Sequence, residues 1–303
     1  MKTLLKHKAS RRSFLILMLT ILFGLFLIRV IIHLQTNNES GNWIPLITSL
    51  IENSIVSLLV TVLIGLFLFY IELPDEEKKF EIIEPFKMKE IFEKEAISTE
   101  LWFFSGGMGR YTRYATIPKL SESAKRTNEH KSLKLQFIDP KNNSLCEKYA
   151  EFRKSLKSAE KETDVWTLDY VKWETIATIV VASIYKSQNP LLDLQICLKN
   201  NFSTMRIDMS SSAAIITKED KSEAAIICRK GSFLYRTYKE EILHAFKQYE
   251  LLKISLNSKF DLHNLNEADI KMICEQLNIN QGLNSNDYQN ILRTINDKKE
   301  HYG

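Results

Sequence analysis

FLILMLTILFGLFLIRVIIHL, residues 14–34, and LITSLIENSIVSLLVTVLIGLFLFY, residues 46–70, decide how the rest of this chain is read. Each is at least as long as the roughly 20 apolar residues a helix needs to cross about 30 Å of hydrocarbon. The short connection between them, 35–45, predicts a helical hairpin that crosses a bilayer and returns. Lys2, Lys6, Lys8, Arg11 and Arg12 precede the first stretch, and Lys78, Lys79, Lys87 and Lys89 follow the second. Gln35 to Asn42 contains no Lys or Arg. Positive residues stay on the cytoplasmic side, so both termini are expected there. A cleaved signal peptide does not fit the length of the run, Arg29 within it, or the lack of a small-residue cleavage site. Trp43 and Tyr70 sit at the two ends of the second stretch, where aromatic rings favour the membrane interface.

Charges inside such stretches need partners, because an isolated one is expensive in lipid. Arg29 and Glu52 fall at similar depths, roughly 7 Å below the outer surface at 1.5 Å per residue. They are expected either to pair between the helices or to snorkel separately to the headgroups. Ser49, Asn53, Ser57, Thr61 and Gly65 recur every fourth residue and form a face of small and weakly polar residues. Such a face lets helices approach closely. It packs either on the first helix of the same chain or between chains, giving a homo-oligomer whose stripe lines a water path.

The remainder is long enough for one sizeable core. The organisation read from sequence is a basic cytoplasmic tail (1–13), a first transmembrane helix (14–34), a short periplasmic loop (35–45) and a second transmembrane helix (46–70). A juxtamembrane segment (71–97), a cytosolic α/β domain (98–255) and a helical C-terminal extension (256–303) follow. Helices are expected over Phe86–Ala96, Pro118–Arg126, Ser144–Leu156, Tyr238–Leu252, Asn266–Leu277 and Ser285–Ile295. Trp166, Tyr170, Trp173, Ala177, Val180 and Ile184 mark the apolar face of another, capped by Thr167 or Asp164. Strands are expected over Leu101–Phe104, Leu133–Ile138, Leu191–Leu198, Met205–Met209, Ala213–Thr217 and Ala224–Cys228. Strands alternating with helices, then clustered strands, point to an α/β or α+β sandwich.

The net charge of +4 comes largely from the N-terminal tail, which argues against nucleic-acid binding by the whole surface. Cys146, Cys197, Cys228 and Cys274 are far apart and form no paired CxxC, so they read as reduced thiols rather than a zinc site. No metal site and no cofactor are expected. The informative loop is Ser105-Gly106-Gly107-Met108-Gly109-Arg110, which holds three of the nine glycines directly after a strand. A turn of this kind can present backbone N–H groups to a phosphate. Arg110, Arg113 and Lys119 lie close in sequence, and Tyr111 and Tyr114 are candidates to stack on a base. The alternative is a tight turn that lets a strand and a helix pack closely. The loop is neither a Walker A motif nor a dinucleotide fingerprint.

The strand entering a Ser-Gly turn, the stretch Leu133-Lys134-Leu135-Gln136-Phe137-Ile138-Asp139-Pro140 and the late strands together resemble the phospholipase D-like fold over about residues 98–255. That family uses a His, a Lys two positions on and a downstream acid. The corresponding place here reads Arg206-Ile207-Asp208, followed by Ser210, Ser211 and Ser212, with no His. The resemblance therefore implies a sandwich without that catalysis, and the chain is expected not to be an enzyme. The whole arrangement also resembles the two-transmembrane effectors of bacterial antiviral systems, including retron-type ones. That resemblance implies an inner-membrane protein that kills the infected cell by membrane disruption. It also implies restraint by a reverse transcriptase and its DNA–RNA product, or control by a nucleotide second messenger. A membrane-tethered phosphodiesterase or nuclease using the glycine loop and Asp208, or a nucleotide-sensing receptor, is the alternative.

Overall fold

The computed structural model of the chain describes residues 8–35, 44–71, 80–160, 165–220 and 222–297. The chain divides into two units, Met1–Lys78 and Lys79–Gly303. Trp43, the connection around it, residues 72–79 and Asp164 lie outside the described residues, as do the side chains of Arg11, Arg12 and Tyr70.

The first unit consists of helices α1 (Lys8–Gln35) and α2 (Ile44–Ile71). Pro45 sits in the first turn of α2, where its missing N–H costs nothing. The 20 residues Pro45–Ile64 are long and apolar enough to cross a membrane, and none of them is buried. In α1 the corresponding apolar stretch is the shorter Ile16–Ile32, interrupted near its end by Arg29. Among the described residues, one stretch, Pro45–Ile64, reaches spanning length. The two helices pack on each other. Half-buried among their described residues are, with Gly24, Met18, Leu22, Leu25, Arg29 and Ile32 of α1 and Thr48, Ile51, Ile55, Leu58 and Val62 of α2. These recur at three- and four-residue spacing, so each set forms one face. The outward faces carry exposed Leu, Ile and Phe, among them Phe23, Phe26, Leu50 and Phe67.

The second unit is built on an eight-stranded mixed sheet. Its strands are β1 (Phe80–Ile83), β2 (Leu101–Ser105), β3 (Lys131–Ile138), β4 (Leu192–Lys199), β5 (Met205–Met209), β6 (Ala213–Lys218), β7 (Ala225–Arg229) and β8 (Glu250–Leu251). Their spatial order is β1-β7-β6-β5-β2-β3-β4-β8. Strands β2, β3 and β4 run parallel, and every other pairing is antiparallel. Parallel strands need both faces covered, which explains the nearly unbroken apolar run of β2.

One face buries Trp102, Phe104, Leu133, Leu135, Phe137 and Ile196 under α3 (Met88–Ser98), α4 (Ile117–Thr127), α6 (Leu168–Gln188), α8 (Glu267–Gln276) and α9 (Ser285–Asn296). The other buries Phe103, Ile207, Met209 and Ile216 under α7 (Phe233–Gln248). Helix α5 (Asn143–Lys154) closes a third cluster with Ile138, Tyr149 and Trp166. Each fully buried large side chain contributes about 1.5–3 kcal/mol.

The helix starts are chemically marked. Asn142, Thr167 and Ser232 each accept a backbone N–H at the head of α5, α6 and α7, and Asn266 and Asn284 form capping boxes with Asp269 and Asp287. Helix α7 therefore begins at Phe233, where Ser232 caps it, and ends at Gln248, where Tyr249 turns extended into β8, so both ends fall earlier than Tyr238–Leu252. The segment read as juxtamembrane supplies β1 and α3, whose Phe92 and Ala96 enter the main core. The segment read as a C-terminal extension supplies α8 and α9, whose Ile270, Ile273 and Ile291 enter the same core. Both are parts of the sheet unit because their apolar faces have no other place to go. All four cysteines are free and buried.

Candidate functional site

A cavity of about 570 Å³ opens beside the carboxyl ends of the parallel strands, lined by residues of the loop after β2 together with Arg206 of β5 and Lys218 of β6. Open α/β sheets place ligands outside the carboxyl ends of their strands, and this volume lies in the range of small-molecule sites. Six of the lining residues are basic: Arg110, Arg113, Arg153, Arg206, Lys218 and Arg293. Three are acidic: Glu174, Glu219 and Asp297. Trp166, Tyr170 and Trp173 supply aromatic wall.

Close packing by itself accounts for the glycines of this loop. A Cβ on Gly106 would lie 2.7 Å from the Phe104 ring, and one on Gly107 would lie 2.1 Å from Tyr149 Oη. Gly109 has φ +68°, and its Cβ would meet the Phe137 ring at 2.3 Å. The N–H groups of the first two glycines are already engaged. Gly106 N–H donates to the Gln136 carbonyl, and Gly107 N–H donates to Glu219 Oε1 at 3.1 Å. Ser105 is used elsewhere: its Oγ accepts from Lys199 Nζ at 3.0 Å, and it is not part of the cavity wall.

The two arginines of the loop region part company. Arg113 sits on a π-helical turn, Thr112–Thr116, a distortion frequent at functional sites. It is buried, with Nη2 2.7 Å from Glu174 Oε2 and Nη1 donating to the Glu174 carbonyl and Thr178 Oγ1. It is committed to α6 rather than offered to a ligand. Arg110 is half-buried, donates to Tyr170 Oη at 3.2 Å, and lies 5.1 Å over the Trp166 ring. Among the described residues no carboxylate lies within ion-pair distance of it. Burial lowers its pKa, but the negative field of Tyr170, Glu174, Tyr149 and Glu219 outweighs burial and raises it. Tyr170 keeps its proton, since burial pushes its pKa up to about 12 against the opposing pull of Arg110.

Arg153, missed by the sequence reading, is the second cation at the site. It lies 4.4 Å over Trp166 and bonds Glu219 Oε2 at 2.9 Å. Trp166 is thus covered by two guanidinium groups and is not a free stacking platform. Nor are the tyrosines singled out by sequence. Tyr111 is buried against Phe92, and Tyr114 does not line the cavity. Lys119 pairs with Glu93. The acid of the hydrolase alternative, Asp208, is fully buried with Oδ2 2.5 Å from Arg206 Nε. Burial raises its pKa, and Arg206 opposes that shift. Among the described residues no cluster of ligands suited to a metal ion occurs.

In the first unit, Arg29 Nη2 lies 2.8 Å from Glu52 Oε1, and Nε donates to the same oxygen at 2.8 Å. Of the two readings of these charges, the structure holds the paired one. Ser49, Asn53, Ser57 and Thr61 are exposed and sit beside the α1-facing side of α2 rather than on it. Thr61 Oγ1 bonds back to the Ser57 carbonyl at 2.7 Å, satisfying its own hydroxyl within the helix. Gly65 lies in α2, with its surroundings outside the described residues.

No family model matches this chain, and no curated protein matches it. Among solved structures, it is similar to that of TrmBL2, an archaeal chromatin protein whose structure was described as showing a novel mode of DNA binding. The identity is 10% and the TM-score 0.32, and the match covers 69% of this chain and 66% of that one. At that level the likeness carries no argument about fold or function.

Proposed function

We propose that this chain is a membrane-tethered effector of bacterial antiviral defence, in which a pair of apolar helices acts on the inner membrane under the control of the sheet unit. The observation that carries the reading is the exposed face of α2. Ser49, Asn53, Ser57 and Thr61 are left free by α1 on a helix long enough to span a bilayer. Small polar residues on a lipid-facing helix favour close packing with another helix. Two helices cannot enclose a pore, so the membrane-active form is a homo-oligomer joined along this stripe, with both termini in the cytoplasm. The sheet unit is the sensor. Its cavity receives a small anionic ligand, for which a nucleotide second messenger is the expected trigger, while in a retron-type setting a reverse transcriptase and its DNA–RNA product restrain the chain. The burial of Asp208 supports a sensing rather than a hydrolytic role.

Membrane potential and dye entry in bacteria test this reading. The full chain is compared with one carrying Ser57→Leu and Thr61→Leu, each expressed with and without phage infection and neighbouring genes. Depolarisation by the full chain that the double variant abolishes is the expected result. Depolarisation that survives the double variant overturns the oligomer, and an intact membrane under every condition overturns the effector.

A further inference from the structure

Glu219 makes the contacts that a ligand anion would make. Its Oε1 accepts from Gly107 N–H at 3.1 Å, its Oε2 accepts from Arg153 Nη1 at 2.9 Å, and its side chain is 12% exposed on the cavity wall. Arg153 Nη1 also donates to the Glu219 main-chain carbonyl. The neighbouring Arg110, stacked on the same Trp166, has no carboxylate within ion-pair distance among the described residues. Among the described residues Arg110 makes no ion pair, while a backbone N–H and a second guanidinium are occupied by a carboxylate of the chain itself.

We infer that this is a phosphate seat held closed by an internal anion: a phosphate-bearing ligand enters by displacing Glu219 from Gly107 and Arg153. The inference rests on the reading of the sheet unit as a sensor. A terminal phosphate carries about −1.5 to −2 charges and three acceptor oxygens. It can engage Arg110, Arg153 and the Gly107 N–H together, whereas Glu219 carries one charge and makes no ion pair with Arg110. The Glu219 bond to Arg153 is already charge-assisted, so the exchange favours the ligand only through the added bonds to Arg110.

Displacement has a structural consequence. Glu219 opens the connection from β6 to β7, whose other ties among the described residues include Glu219 N–H to the Thr204 carbonyl and Ser158 N–H to Asp220 Oδ2. Losing its Gly107 and Arg153 side-chain contacts frees the Glu219 side chain from the glycine loop. Occupancy of the seat is thereby converted into loosening at the start of one sheet connection.

The test uses the full chain in nanodiscs and titrates inorganic pyrophosphate by calorimetry. Removing the internal competitor raises the binding-competent fraction and with it the apparent affinity. Glu219→Gln is expected to bind pyrophosphate about tenfold more tightly than the native chain, and Arg110→Gln at least about tenfold more weakly. AMP and glycerol phosphate, titrated in parallel, distinguish a nucleotide from a lipid headgroup as the source of the phosphate. Equal or weaker binding by Glu219→Gln, with Arg110→Gln still defective, overturns the displacement while leaving the sensor reading intact. No binding of any of the three by native chain or variant overturns both. Hydrogen exchange on the native chain guards against a misfolded variant. Pyrophosphate is expected to speed exchange at Gly107 and Glu219, and unchanged or slower exchange there overturns the switch.

Discussion

Lys199 places Nζ 3.0 Å from Ser105 Oγ and joins the carboxyl ends of β4 and β2 across β3. Its side chain is buried, and among the described residues no carboxylate lies within ion-pair distance. Burial lowers its pKa from the ordinary 10.5, with Cys197, Glu219 and Glu241 opposing. A lowered folded pKa means the unfolded chain binds more protons between that value and 10.5, so stability from this group rises with pH across that window. Below it the full cost of burying the ammonium stands. Lys199→Met is expected to stabilise the sheet unit by about 1 kcal/mol at pH 7. The advantage should shrink as pH approaches 10.5, as denaturant titrations of both chains at the two pH values will show.

The glycines of the loop are held in close packing, and they are not interchangeable. Gly107→Ala drives a methyl into the Tyr149 hydroxyl, and the ring cannot yield because Phe202 packs edge-on 5.3 Å away. A loss of about 1–3 kcal/mol is expected from overpacking. Gly109→Ala adds a left-handed φ to a clash with Phe137 and should lose more. Gly282→Ala, with φ +73° but open space around it, should lose only about 1–2 kcal/mol. Thermal melts of the three variants rank them.

Arg113 and Glu174 form a buried pair, each side chain less than a tenth exposed. Removing one partner strands the other, so Arg113→Met alone should lose about 3–5 kcal/mol. Arg113→Met combined with Glu174→Leu removes both charges and should lose less than the single change. A double-mutant cycle in denaturant reads the difference. A double variant as unstable as the sum of the singles would show that the pair does not act as a unit.

Arg29 and Glu52 make the corresponding pair in the helical unit, and there the proposal of a membrane setting gives it weight. A lone charge within a span costs about 2.5–3.5 kcal/mol. Arg29→Glu places two carboxylates together and should abolish accumulation of the chain in the membrane fraction. Arg29→Glu with Glu52→Arg restores the pair and should restore accumulation. Fractionation and immunoblotting measure it, and failure of the swap to rescue would mean that the pair does not hold the helices.

Much of the sheet unit is legible in the sequence because its signals are local. The alternation of Leu133, Leu135 and Phe137 marks a strand, and the run from Val171 to Ile184 marks a buried helix. Asn266 and Asp269 mark a helix start on their own. The strand Phe80–Ile83 is not legible. It is four residues long, carries Glu81, and is a strand only because β7 supplies hydrogen-bonding partners. The candidate site is legible at one edge. The glycines, Arg110 and Arg113 stand out, but Arg153, Trp166 and Glu219 come from three distant segments, and their meeting is invisible without the sheet order. Spacing alone puts Trp166 on a helical face, whereas it precedes α6 and packs beneath two guanidinium groups.

The sequence by itself determined the apolar helices, the charges at matched depth in them, the element order of the sheet unit and the loop where the chain turns on glycine. These follow from composition, periodicity and turn chemistry, which act over a few residues. The tertiary structure alone decided which way each ambiguous group goes. It turned Arg113 inward to Glu174, left Arg110 facing the cavity, set Glu219 on the Gly107 N–H, and left the Ser57 and Thr61 face of α2 outside its contact with α1. Those outcomes depend on which charges and surfaces meet after long loops close, and electrostatic pairing and desolvation act through space rather than along the chain.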